Sequence, residues 1–163
     1  MTAGALFGWY AYDQSIYDEC AEYLDEVASF VGKAGTPVLK NSAGRIDECG
    51  TAPALIYGVI AEDGHDAAAS DTNKILVYRI RPGDKWVIPV SEALALNMLG
   101  VAAGDLGIVK DSTTGLWYGS TGDAGAQCRV VDFEKGPTPP GFAIGDTLWA
   151  GHVLFHSTKV QVF

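Results

Sequence analysis

The sequence predicts an all-β fold, a barrel or sandwich with one or two short helices and an aromatic N-terminal arm. Three observations carry this. Twenty glycines and seven prolines are spread along 163 residues, so the chain turns often. Short runs rich in Val, Ile, Tyr and Trp recur between those turns, as strands require. Long helical periodicities are few. With 48% hydrophobic residues, a chain of 17.2 kDa buries roughly 70% of its open surface on folding, enough for a core without metal or disulfide.

Residues 1–12 hold Leu6, Phe7, Trp9, Tyr10 and Tyr12. So aromatic a terminus is expected to tuck onto its own core or dock on a neighbour. From Asp13 to Val31, apolar residues at Ile16, Cys20, Leu24, Val27 and Val31 predict a short helix, with Gly32 as its stop. We expect residues 1–27 to form an arm and helix, and residues 28–163 a single β domain.

The stretch from Gly35 to Ile46 reads as strand, turn, strand, with Asn41, Ser42 and Gly44 in the turn. Leu55–Ala61 is a further strand, and residues 65–73 the polar loop after it. Lys74–Val90 contains two strand-like runs around Pro82-Gly83, where a type II turn wants Pro and Gly. The pattern predicts a β-hairpin. Alternation places Ile75, Val77, Arg79 and Arg81 on one face and Leu76, Tyr78 and Ile80 on the other. An aliphatic face carrying Arg79 and Arg81 is a candidate contact surface. Ser91–Leu99 reads as a short capped helix. Gly104–Trp117 is again strand, turn, strand, and Cys128–Phe133 a strand. Residues 136–141, GPTPPG, form an extended linker; Thr147–His156 and Lys159–Phe163 are the closing strands.

The chain echoes itself. Leu39-Lys40-Asn41-Ser42 resembles Val109-Lys110-Asp111-Ser112, and each is followed by a Gly and an aliphatic residue. The offset of about 70 residues is longer than repeat arrays use. We read two copies of one β unit, at about 28–90 and 101–163, packed in a barrel or sandwich.

A net charge of −9 with scattered Lys and Arg disfavours a nucleic-acid partner. No apolar run approaches the roughly 20 residues of a membrane span. Cys20, Cys49 and Cys128 are odd in number and form no CxxC, so buried thiols in a reducing compartment are the default. His152 and His156 lie four apart, but on a strand that is about 13 Å, too far for one metal. The run EDGHD at 62–66 departs from a calcium loop, and GSTG at 119–122 from a nucleophile elbow. No cofactor is implied, and no acid–base pair stands out; the reading is non-enzymatic.

AGTPVLKNSAGRI at 34–46, IYGVIAEDG at 56–64, VYRIRPGDKWVIPV at 77–90 and GDTLWAGHVLFHSTKVQVF at 145–163 together resemble the capsid decoration, or cement, proteins of tailed bacteriophages. The likeness implies a non-catalytic β protein that stabilises the outer surface of an icosahedral virion. It implies the major capsid protein and further copies of the chain as partners, a homotrimer before a dimer. It also implies synthesis in the host cytoplasm. On that reading Leu6, Phe7, Trp9, Tyr10, Tyr12, Arg79 and Arg81 are the candidate assembly contacts. The alternatives are a carbohydrate-binding β module, a tail or adaptor protein of the same virion, or a small hydrolase or isomerase with a pocket lined by His152 or His156.

Overall fold

Turn residues divide the chain into short strands, and tertiary pairing decides which of them meet. The computed structural model describes residues 9–50, 53–68, 73–91, 93–121, 125–135 and 149–161. Among these, the strands are β1 (Tyr10–Ala11), β2 (Ala21–Asp25), β3 (Pro37–Lys40), β4 (Ile46–Glu48), β5 (Gly58–Ile60), β6 (Lys74–Arg79), β7 (Lys85–Val90), β8 (Asp105–Lys110), β9 (Trp117–Ser120), β10 (Cys128–Lys135) and β11 (Trp149–Phe155). One helix, α1 (Ser15–Cys20), precedes β2. The chain is all-β, as its turn-rich composition predicts.

The strands form two rings with the same wiring. In the first, the order is β2-β6-β5-β3-β4, and a parallel bridge between Glu26 and Ile46 joins the last strand to the end of the first. Val27 N–H donates to the Ile46 carbonyl at 3.0 Å across that seam. In the second, the order is β7-β11-β10-β8-β9, and Val90 pairs in parallel with Gly119 to close it. Replacing each strand of the first ring by the one five places later gives the second, seam included. Two small closed barrels, one a topological copy of the other, follow each other along the chain. Closure leaves few open sheet edges.

The sequence echo marks corresponding hairpins. In β3–β4, Asn41 N–H donates to Arg45 and Gly44 takes φ +79°. In β8–β9, Asp111 N–H donates to Leu116 and Gly115 takes φ +76°. Both turns need glycine in the left-handed region. In both, the Asx side chain accepts backbone N–H groups of its own turn, Ala43 and Arg45 in one and Thr113 in the other. The expected repeat limits, 28–90 and 101–163, are corrected. Each unit begins one strand earlier, at β2 and β7, because the strand that closes a ring comes first in sequence.

The expected hairpin at 74–90 is also corrected. Its turn is there: Asp84 N–H donates to the Arg81 carbonyl at 3.2 Å, and Gly83 takes φ +89°. Its strands do not pair. β6 lies between β2 and β5 in the first barrel, while β7 lies against β1 and β11 in the second. A type II turn splays its flanking strands instead of twisting them together as the hairpin turns do. Pro82-Gly83 is therefore the joint between barrels.

The helix expected over residues 13–31 ends at Cys20. From Ala21 to Asp25 the backbone pairs residue by residue with Tyr78 to Lys74. Ile16, Cys20 and Leu24 recur every fourth residue, a spacing that shares one face of a helix and equally one face of a strand. The helix expected at 91–99 is a single 3-10 turn, Leu96–Met98. Its flanks are tethered to sheet, Ser91 N–H to the Gly119 carbonyl and Gly100 N–H to the Val130 carbonyl. The last expected strand reduces to a 3-10 turn, Ser157–Lys159, and one bridge from Val160 to Ile56. The linker at 136–141, residues 69–72 of the loop at 65–73, and residues 162–163 lie outside the described residues.

The first barrel is filled by Phe30, Val38, Ile46, Tyr57, Ile60, Ile75 and Val77. The second is filled by Ile88, Val90, Leu106, Ile108, Val130 and Val153 among others. That second cluster continues without a break into Val59, Tyr78 and Ile80, which point outward from the first barrel. Tyr17 on α1 sits at the join, 4.7 Å from the Tyr78 ring and 6.2 Å from the Trp86 ring. The two ends of the chain cross over. Residues expected to form a separate arm are built into both barrels: β1 pairs with β7 of the second, and β2 is a stave of the first. At the other end, Gln161 donates to the Lys40 carbonyl at 2.7 Å and accepts from the Lys40 N–H at 2.8 Å, clamping the first barrel.

Candidate assembly surface

The seven residues expected to make assembly contacts separate into three places. Leu6 and Phe7 lie outside the described residues. Trp9 is inside the core, 1% exposed, with its indole N–H donated to the Trp117 carbonyl at 2.9 Å and its ring stacked on Phe155. As a contact for another molecule it is corrected: burial behind β1 takes it out of reach. Tyr10 is half-buried on β1, and burial, then nearby Glu134, raises its pKa above the usual phenol value.

Tyr12 is exposed. Its ring lies 5.2 Å from the ring of His152, and the Lys85 ammonium stands 4.1 Å above it. Tyr12 N–H donates to the Lys85 carbonyl, which fixes the backbone there. Arg81, at the barrel joint, is committed to its own chain. Its Nε donates to Asp84 at 2.6 Å and its Nη2 to Glu19 at 2.8 Å. Those hydrogen bonds, to Asp84 first and Glu19 second, hold the guanidinium protonated still more firmly than usual. Tyr12, Ile16, Glu19, Arg81, Asp84 and Lys85 line an open, polar cleft of about 450 Å³.

Arg79 does not share that place. The face it occupies on β6, with Ile75 and Val77, is the inside of the first barrel, so the surface expected to be half core is core. Arg79 lies half-buried near Tyr57, whose hydroxyl donates to Glu22. Burial first, and that bond to Glu22 second, push the Tyr57 pKa up to about 12. Lys40 completes the group, 3.8 Å from Glu22 and over the Tyr57 ring. The structure thus divides Arg79 and Arg81 between a barrel rim and the joint.

The histidines are also dispersed. His65 lies against Glu26, which is wholly buried and accepts both the His65 N–H, at 3.0 Å, and a contact from Nδ1 at 3.2 Å. His152 is buried, with Nδ1 4.0 Å from Asp132. His156 lies 3.1 Å from Asp105, which also receives two hydrogen bonds from Arg129, at 2.7 and 3.1 Å. Arg129 first, and His156 after it, hold the Asp105 carboxyl below the usual carboxylate range. Neither His152 nor His156 lines the cleft at the joint or a second cleft, of about 400 Å³, at the tip of β3–β4. Among the described residues, no three His, Cys, Asp or Glu side chains are placed to share a metal ion.

The chain matches no protein-family model, no curated protein and no solved structure. Its chemistry is therefore read from these side chains alone. Their ion pairs are satisfied within the molecule, and they lock strands and joints together. Large apolar side chains are exposed beside them, Tyr23, Val31 and Leu55 among them.

Two more lie in the connection where a helix was expected. Leu96 and Val101, in the β7–β8 connection, are 79% and 48% exposed. Their signal in the sequence is negative: no charged residue occurs from Ala93 to Gly104.

Proposed function

We propose that the chain is a non-catalytic structural protein of a virion that binds the outside of an icosahedral capsid and stabilises it. The major capsid protein is its partner, and further copies of the chain, as a homotrimer, complete the assembly. The observation that carries this reading is the pair of closed barrels sharing one core. A protein that clamps a shell must resist opening and present a fixed surface, and closed hydrogen-bonded rings supply both. The resemblance of four segments to decoration proteins points the same way, and an acidic exterior suits a site away from packaged nucleic acid.

A sugar-binding reading needs neighbouring exposed aromatic rings. Trp9, Trp86 and Trp117 are buried, Trp149 is half-buried against Phe133, and of the large exposed aromatics among the described residues Tyr12 follows β1 while Tyr23 lies on β2. The test is direct. Purified protein mixed with shells stripped of their decoration should co-sediment with them at a fixed ratio to the major capsid protein and raise their disruption temperature. Shells that sediment without it, across a panel of tailed phages, would remove the proposal.

A further inference from the structure

After Glu92, the connection from β7 to β8 is an uncharged ridge on an acidic molecule. Residues 93–104 include no ionisable side chain, although the whole chain carries −9. Leu96 and Val101 stand out from it, flanked by exposed Ala93, Ala95, Ala102 and Ala103. The ridge is held in place. Leu94 is buried beneath it, and Met98 and Leu99 pack against the core. Gly104 lies so close under it that a Cβ there would meet the Met98 carbonyl oxygen at 2.2 Å. Gly100 N–H is bound to Val130 at 2.8 Å. A surface fixed in this way loses little freedom when it is covered.

Barrel architecture does not demand such a ridge. The corresponding connection of the first barrel, β2 to β3, turns Phe30 inward to 4% exposure as part of the barrel filling. The second barrel turns Leu94 inward in the same way but leaves Leu96 and Val101 outside, where the first leaves Val31.

Charge selects what covers it. Two copies at −9 repel over most of their surfaces. Facing ridges bring no ionised side chain of residues 93–104 into the contact. The acid that follows them, Asp105, is already matched by Arg129 and His156. We infer that neighbouring copies of this chain pack against one another through the Leu96–Val101 ridge. The inference rests on the part of the functional proposal in which copies of the chain meet; its test uses free protein, without shells, so each can fail separately.

Sedimentation velocity of the whole chain over a broad concentration range should show mass rising above one chain. Added salt should strengthen the association, because it screens the repulsion and leaves apolar contact intact. Leu96→Glu and Val101→Glu should each weaken association about tenfold or more. Both sites are exposed, and unchanged circular dichroism and melting would show that the fold survives. Tyr23→Ser, at another exposed aromatic, should associate as the parent does. A single-chain mass at every concentration would overturn the inference. So would association that weakens with salt, that persists in both glutamate variants, or that is lost equally in Tyr23→Ser.

Discussion

At the scale of single residues, Asp105 is the most instructive side chain. It joins β8 to Arg129 on β10 and to His156 beyond β11, and its carboxyl is about one-fifth exposed. Its pKa is lower folded than unfolded, so its contribution is fully present above the unfolded value, near 4, and is lost as pH falls through the folded value. Asp105→Asn should reduce stability by about 1–2 kcal/mol at pH 7. Urea titrations should show the gap between parent and variant closing below about pH 4; a gap that stays constant would show that the carboxylate charge is not what matters. The thiols give a second expectation. Burial pushes Cys49 up to about 12, and Cys128, wholly buried, is also raised by desolvation. Both should react with an aromatic disulfide at pH 8 only after unfolding, and fast labelling of the native protein would contradict their placement. None of the Asp105 partnership was legible in the sequence, because its members are separated by 24 and 51 positions and no local pattern links them.

At the scale of elements, the turns were legible and their consequences were not. Asn41 accepts the N–H groups of its turn, and Gly44, Gly83 and Gly115 do what their residue type dictates, because positive φ is a local demand that few side chains meet. Pairing is not local. The same Pro82-Gly83 signal that suggested a hairpin sends β6 and β7 to different rings, and a strand such as β2 was hidden inside a spacing shared by helices. The expected contact face on β6 failed for a related reason. Alternation placed Ile75, Val77 and Arg79 on one face, with Arg81 falling beyond the strand, but nothing in the sequence says whether a face looks into a barrel or out of it. Corresponding turns allow a comparison between the two units. A Cβ added at Gly44 meets nothing within 4 Å, and one at Gly115 meets only Lys110, at 3.9 Å. Gly44→Ala and Gly115→Ala should therefore each cost about 1 kcal/mol, from backbone strain alone and equally in both barrels. Thermal unfolding of the two variants measures this directly, and a large difference between them would mean that the turns are not equivalent.

At the scale of the whole molecule, the echo of Leu39–Ser42 in Val109–Ser112 disclosed the duplication from sequence alone. It could not disclose the limits of each unit, since closing strands resemble any other short apolar run. Nor did it disclose that the units share a core or exchange their ends. Removing residues 1–12 takes away Trp9 and β1 together and should cost about 3–5 kcal/mol, the range for emptying a buried aromatic site. Denaturant titrations of this truncation and the parent check this, and equal midpoints would return the terminus to the status of a loose arm.

The crossed ends also govern how the molecule answers a mechanical load. Force applied near its two termini reaches β1, held along the second barrel, and Gln161, hooked to the first. Traction is thereby delivered to each ring through the far end of the polypeptide, and the Pro82-Gly83 joint stays slack until one of those fastenings tears. Stretching a single molecule should thus produce one dominant rupture, where two independent beads on a thread would give a pair.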